Sequence, residues 1–249
     1  PTSVRPGWES KENVVNEAYV DALTLKEKTG KWLAEIAPFN DHKMALRARE
    51  SALLVIDMQR YFAHPRGAAY LPSAHAILGN IKRLVAAFRC ARRPVIYTRH
   101  AHHPELHDAG ILGKWWSDLV VDGTPDSEIH PALAPRRSDR VVVKNRYSAF
   151  YGTNLETVLH TLRIKTLVIC GVMTNLCCES TARDAYYRDY WTLFLADATG
   201  TQTEEMHRAS LLNLAYGFSY VTTTEEILSQ LVSPRVPKAK RWRQRCTEL

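Results

Sequence analysis

Ala52-Leu-Leu-Val-Ile-Asp57 is a continuous apolar run that ends in an acid. A half-exposed strand would alternate apolar and polar residues, so an unbroken run predicts a strand buried on both faces of a parallel sheet. The pattern then recurs. Pro94-Val-Ile-Tyr-Thr98, Val141–Val143, Thr166-Leu-Val-Ile-Cys170, Thr192–Ala196 and Tyr220–Thr222 read as further strands. Between them, Ala76–Ala91 places Ile77, Ile81, Leu84, Val85 and Phe88 on one helical face. Leu155–Leu162, Thr181–Arg188 and Glu204–Tyr216 also read as helices. Strands alternating with helices predict an α/β three-layer sandwich: a mostly parallel six-stranded sheet with helices on both faces.

Residues 1–50 follow a different pattern. From Asn13 to Ile36 the apolar residues Val14, Val15, Ala18, Leu23, Leu25, Trp32, Leu33 and Ile36 are loosely helical in spacing, with a break near Thr29-Gly30. This predicts a helical N-terminal arm that packs on the domain or on a neighbouring subunit, followed by a main domain over 51–232. In the tail, 233–249, Arg235, Lys238, Lys240, Arg241, Arg243 and Arg245 face one acid, Glu248, and so carry most of the net charge of +7. With a single Trp242 and no nucleic-acid-binding motif, the tail reads as a short solvated basic segment rather than a nucleic-acid patch.

Runs such as Thr166–Cys170 are too short to cross a bilayer. Pro1–Ser10 is polar and no apolar signal-peptide stretch follows it, so a cytoplasmic protein without a membrane partner is expected. The five cysteines, Cys90, Cys170, Cys177, Cys178 and Cys246, include no CxxC pair. Neither a disulfide framework nor a structural zinc site is expected, which leaves buried thiols or a nucleophile.

In open parallel sheets the chemistry sits at the carboxyl ends of the strands. Those ends carry Asp57, Thr98-Arg99-His100, Lys144 and Gly171–Cys177. Cys177 falls at the start of the helix beginning near Glu179, where the helix dipole and unpaired N–H groups favour a thiolate. Lys144 would lower the thiol pKa further, and Asp57 could take the thiol proton and return it to a leaving amine. Singly, each residue has an ordinary structural explanation: a buried thiol, a turn cap, an exposed lysine. An acid, a lysine and a cysteine on three strand ends form a more specific pattern.

Leu54-Val-Ile-Asp-Met-Gln59, Lys144-Asn-Arg-Tyr-Ser-Ala-Phe150, Gly171-Val-Met-Thr-Asn-Leu-Cys177 and Glu179-Ser-Thr-Ala-Arg-Asp-Ala185 resemble, in order and spacing over about residues 50–230, the signatures of the isochorismatase-like cysteine hydrolases. That family includes nicotinamidases, N-carbamoylsarcosine amidase, biuret hydrolase and ureidoacrylate amidohydrolase. The resemblance implies an isochorismatase-like fold and an Asp57–Lys144–Cys177 triad. It also implies a non-proline cis peptide at Val172–Met173 and an oxyanion hole from the backbone N–H groups of Met173 and Cys177. It selects Cys177 over Cys178, since neighbouring side chains on a helical turn point about 100° apart. The implied reaction is hydrolysis of a small amide, ureido or N-carbamoyl compound through a thioester.

His100, His102, His103, His107 and His130 fall in the long connection Ala101–Arg140 or next to it, a segment of about 40 residues that suggests a functional loop. His103-Pro104-Glu105-Leu106-His107 resembles a nicotinamidase metal-binding piece, but the acid expected two residues before His103 is Ala101. No metal or other cofactor is therefore expected, although Glu105 and Asp108 offer substitute carboxylates. Phe62, Trp115, Trp116, Tyr147 and Phe150 could line an apolar pocket with Thr174, and Arg99 or Arg146 could receive a substrate carboxylate. Two other readings stand beside the amidohydrolase: a vinyl-ether-cleaving isochorismatase, which lacks the cysteine, and a non-catalytic binding protein on the same fold. The resemblance also implies a homodimer or homotetramer.

Overall fold

The structure, a computed structural model, describes residues 16–232; the basic tail and residues 1–15 lie outside them. In chain order the elements are α1 (Leu25–Ile36), β1 (Ser51–Ile56), α2 (Arg60–Ala63), α3 (Pro72–Cys90), β2 (Val95–His100), α4 (Leu112–Trp115), β3 (Arg140–Lys144), α5 (Leu155–Thr161), β4 (Thr166–Val172), α6 (Glu179–Tyr186), β5 (Trp191–Gly200), α7 (Glu204–Gly217), β6 (Tyr220–Thr222) and α8 (Thr224–Val232). A π-helical turn, Thr174–Cys178, joins β4 to α6.

The six strands form one sheet in the order β3-β2-β1-β4-β5-β6. Every pairing is parallel. All six residues of β1 and all seven of β4 are buried, as central strands covered on both faces must be. Helix α3 starts with Pro72 in its first turn, where a missing N–H costs nothing, and buries Ala74, Ile77, Ile81, Leu84, Val85 and Phe88 along one stripe. It packs on β1, β4 and β5 with α8 beside it, while α6 and α7 pack on β5 and on each other. Right-handed crossovers that run outward in opposite directions from β1 and β4 put these two sets on opposite faces. The order reverses between β1 and β4, so a crevice opens at their carboxyl ends.

Gly171 lets those two strand ends meet. Its φ is +119°, and a Cβ there would stand 2.0 Å from the Ile56 carbonyl oxygen. Only glycine accepts both the conformation and the contact.

Several elements differ from the pattern-based expectation. The arm is an uninterrupted helix from Leu25 through Gly30, whose position is open space, and residues 16–20 have no regular structure. Helix α3 begins four residues early, because Pro72 initiates it. Strand β5 runs on to Gly200, past a register shift against β4 between Ile169 and Gly171. Helix α8 was not expected; it packs on α3 and β5.

The arm packs on this chain's own domain. Trp32 is 1% exposed, its ring centroid lies 4.5 Å from that of His207 in α7, and its Nε1 donates to Glu204 at 2.8 Å. Lys28 pairs with the same carboxylate. Trp32→Ala should therefore cost about 3–5 kcal/mol of unfolding free energy, read from the denaturation midpoint at constant slope. A loss below about 1 kcal/mol would show that the arm is peripheral to the core.

Candidate active site

Three strand ends converge on one buried ammonium. Lys144, the last residue of β3, is 2% exposed. Its Nζ lies 2.7 Å from Asp57 Oδ2, just after β1, and 3.3 Å from Cys177 Sγ in the π-helical turn after β4. It also donates to the Arg146 carbonyl at 2.9 Å and stands 3.3 Å from His100 Nδ1 at the end of β2. Asp57 has a φ of +46°, which swings its carboxylate out of the strand line. Its backbone N–H donates to Thr98 Oγ1 at 3.0 Å, and that hydroxyl donates to Asp57 Oδ1 at 2.6 Å.

Burial and neighbouring charges shift the pKa of both the ammonium and the thiol. Burial works against the charge on Lys144, but the Asp57 carboxylate and the Cys177 sulfur outweigh it and hold its pKa above the ordinary lysine value. The Cys177 thiol is pushed up to about 12, chiefly by burial; Lys144 opposes the shift and Asp57 adds to it. Lys144 lowers the thiol pKa as expected, but burial outweighs it and the net shift is upward. The turn encloses the sulfur so completely that desolvation exceeds the pull of the lysine, and a thiol sits beside a carboxylate–ammonium pair. Cys178 is fully buried and its thiol is raised well above 9.0, again by burial first. His100 is lowered to about 3 by burial and then by Lys144, so its ring is neutral.

A cavity of about 110 Å³ opens over Cys177. Tyr61, Phe62, Leu112, Trp116, Tyr147, Met173 and Leu176 form most of its wall, and His100, Asp118 and Gln202 add polar groups. Trp116 Nε1 donates to Tyr147 Oη at 2.8 Å, and Tyr61 Oη donates to Asp118 at 3.0 Å. Of the residues singled out for substrate contact, Phe62, Trp116 and Tyr147 thus line the cavity with the nucleophile. Trp115, 55% exposed, is not in the lining. Phe150 packs on Tyr190 and beneath Arg188, and the Thr174 hydroxyl is bonded to His207 Nδ1 at 2.9 Å. Arg99 pairs with Asp122, and Arg146 donates to the carbonyls of Asp108 and Asn145, so neither guanidinium reaches the cavity lining. Tyr61, Leu112, Asp118 and Gln202 were not anticipated. Tyr61, Leu112 and Asp118 come from α2 and the long connection, which carry no strand-end signal, and Gln202 follows β5, whose end at Gly200 lies beyond the Ala196 read from the sequence.

The Val172–Met173 peptide is cis, at the base of the turn that carries Cys177. Met173 lines the cavity together with Cys177. His103, Glu105 and His107 bring one potential ligand atom each within 4.8 Å of one another, but all three are exposed and none lines the cavity. Asp57, His100 and Cys177 also bring ligand atoms within 4.8 Å of one another, but the buried Lys144 ammonium stands 2.7 Å, 3.3 Å and 3.3 Å from Asp57, His100 and Cys177, so a positive charge already holds the place a divalent cation would take.

Residues 51–226 match the isochorismatase domain family. The chain is 39% identical over 197 residues to nicotinamidase 3 of Arabidopsis thaliana, covering 78% of this chain and 95% of that one. It is 32% identical over 235 residues to the ureidoacrylate amidohydrolase RutB of Methylobacterium radiotolerans, covering 84% and 90%. Among solved structures, a cysteine hydrolase from Pseudomonas syringae pv. phaseolicola superposes with a TM-score of 0.74 at 34% identity, over 76% of this chain and 95% of that one. The N-carbamoylsarcosine amidase of Thermoplasma acidophilum superposes with a TM-score of 0.64 at 30% identity, over 71% and 97%.

An acid whose pKa is raised keeps its proton to higher pH. The ultraviolet thiolate absorbance assigned to Cys177, wild type minus Cys177→Ser, should therefore be absent at neutral pH and appear only well above 9.0. A full thiolate signal at neutral pH would contradict the assignment.

Proposed function

The chain belongs to the isochorismatase family, and from that premise we propose that it hydrolyses a small, uncharged amide through a thioester on Cys177. It is an amidohydrolase acting on non-peptide C–N bonds, as its named relatives are. The observation that carries the cysteine mechanism is the Lys144 ammonium, 2.7 Å from the Asp57 carboxylate and 3.3 Å from the Cys177 sulfur on the cavity floor.

The steps follow from the resting protons. As the Cys177 sulfur attacks the carbonyl carbon, its proton passes to Asp57, and negative charge moves from the carboxylate to the sulfur and the carbonyl oxygen. Lys144 touches the two groups between which the proton moves, the Asp57 carboxylate and the Cys177 sulfur. The backbone N–H groups of Met173 and Cys177 are our assignment for the oxyanion. Protonated Asp57 then gives its proton to the departing nitrogen, the C–N bond breaks, and a thioester remains. Water, deprotonated by Asp57, attacks the thioester, and the acid leaves as the thiol recovers its proton.

Pocket charge supports the substrate class. Among the described residues no arginine or lysine lines the cavity, whose only acid, Asp118, would repel a carboxylate. Four aromatic residues, Tyr61, Phe62, Trp116 and Tyr147, suit a flat apolar body. A neutral aromatic amide satisfies this lining, whereas a ureido or N-carbamoyl acid would bring an anion with no partner. As part of the same reading we place the chain in the cytoplasm as a homo-oligomer. Free thiols at Cys90, Cys170, Cys177 and Cys178 support the first, and the exposed Tyr186, Tyr187, Trp191 and Tyr216 support the second. Among the described residues no helix is long and apolar enough to cross a membrane.

Ammonia release from nicotinamide, ureidoacrylate and N-carbamoylsarcosine tests the proposal. The expected kcat/KM for nicotinamide exceeds that for either carboxylate by at least about 10-fold. Cys177→Ala should abolish release, Cys178→Ala should retain it, and Asp57→Asn should lower kcat by about 10²- to 10⁴-fold. Preference for a carboxylate substrate would overturn the substrate class, and an active Cys177→Ala would overturn the mechanism.

A further inference from the structure

The mechanism leaves one polar chain unused. From the far side of Lys144 it runs through two buried histidines to a carboxylate on the long connection. His100 Nδ1 lies 3.3 Å from Lys144 Nζ, His100 Nε2 lies 3.1 Å from His102 Nε2, and His102 Nδ1 lies 3.2 Å from Asp108 Oδ1. His102 is fully buried and is not part of the cavity lining. Asp108 is held in turn by Asn145 Nδ2 at 3.0 Å and by the His103 backbone N–H at 3.2 Å. The Arg146 guanidinium donates to its main-chain oxygen at 2.9 Å.

Donor and acceptor rules leave one proton arrangement for this chain. An ammonium can only donate, so a hydrogen on His100 Nδ1 would face a positive charge 3.3 Å away, and the lone pair is the form that fits there. A neutral ring then carries its hydrogen on Nε2, which donates to His102. His102 must accept at Nε2 and carry its own hydrogen on Nδ1, which donates to the carboxylate. A hydrogen on both nitrogens of His102 would set two N–H groups against each other across 3.1 Å.

We propose that His102 and Asp108 are positioning residues that lock His100 in the tautomer whose Nδ1 lone pair faces Lys144, and so hold the ammonium between Asp57 and Cys177. Without the lock, His100 can place its hydrogen on Nδ1, and an N–H then faces the ammonium. Lys144 loses an acceptor on that side and withdraws from the sulfur. The inference rests on reading Lys144 as part of the catalytic machinery, but its tests need no substrate. The carboxylate that sets the tautomer sits on the same connection that walls the cavity, at Leu112, Trp116 and Asp118.

Two measurements test it on the full chain. Imidazole ¹⁵N shifts at neutral pH should show His100 protonated on Nε2 and His102 on Nδ1 alone. The reverse tautomers, or a doubly protonated His102, would overturn the proposal. The second is the rate of Cys177 alkylation by iodoacetamide, located by peptide mass spectrometry. His102→Leu should slow it about 10- to 100-fold, the size of effect seen when a partner that orients a histidine is lost. His102→Gln, whose amide can accept from His100 and donate to Asp108, should restore most of the rate. A merely loosened fold would expose the buried thiol and speed alkylation, so slowing with rescue is specific to positioning. Equal rates for the two variants would overturn it. If His102→Leu does not fold, the half-exposed Asp108 supplies the same comparison. Asp108→Ala should slow alkylation and Asp108→Asn should not, and equal rates would again overturn the proposal.

Discussion

A lysine ammonium with no access to water is the constraint around which this molecule is arranged. Removing such a charge from solvent costs several kcal/mol unless charged and hydrogen-bonding partners surround it. Lys144 finds them at four separate places: Asp57 after β1, His100 at the end of β2, the Arg146 carbonyl beyond β3, and Cys177 after β4. Parallel pairing brings those four ends to one edge of the sheet, and the order β3-β2-β1-β4 makes them neighbours. The fold is thus committed to the charge before any substrate arrives. The same geometry keeps the ammonium against both groups between which the thiol proton moves during attack.

Burial explains both the reactivity and its restraint. The closed turn that raises the Cys177 thiol also shields it from solvent-borne oxidants, since 7% of the residue is exposed. Deprotonation is deferred to the moment of attack, when Asp57 can receive the proton at contact distance. Support for the turn comes from behind. Thr174 is bonded to His207, His207 lies against Trp32 of α1, and Thr201 Oγ1 donates to Asn175. The arm, which precedes the matched family domain, therefore backs the segment that carries the nucleophile.

Legibility in the sequence followed physical locality. Asp57, Lys144 and Cys177 were readable because each lies at or shortly after the carboxyl end of a strand, and parallel sheets gather those ends by rule. The central strands were readable because burial on both faces leaves unbroken apolar runs. Where a position depends on long-range packing, pattern carried little. Tyr61, Asp118 and Gln202 reach the cavity from a short helix and two connections without periodicity. The α1 break assigned near Gly30 does not exist, because the buried faces at Leu25, Thr29, Trp32 and Ile36 hold the helix through the glycine. A helix start and a nearby lysine both argue for lowering the thiol pKa, and only three-dimensional enclosure shows how strongly desolvation opposes them. His100 and His102 were visible as part of a histidine-rich stretch, but their bond to each other and to Asp108 depends on how the loop returns.

The account stands on Cys177 becoming acylated while its proton passes to Asp57 beside the Lys144 ammonium. The most direct measurement is rapid acid quenching during turnover of an amide, followed by fragment-ion mapping of the peptide that contains both Cys177 and Cys178. The account predicts an acyl group of the substrate's mass on the Cys177 sulfur. An acyl group on Cys178, or turnover with neither sulfur ever modified, would contradict it.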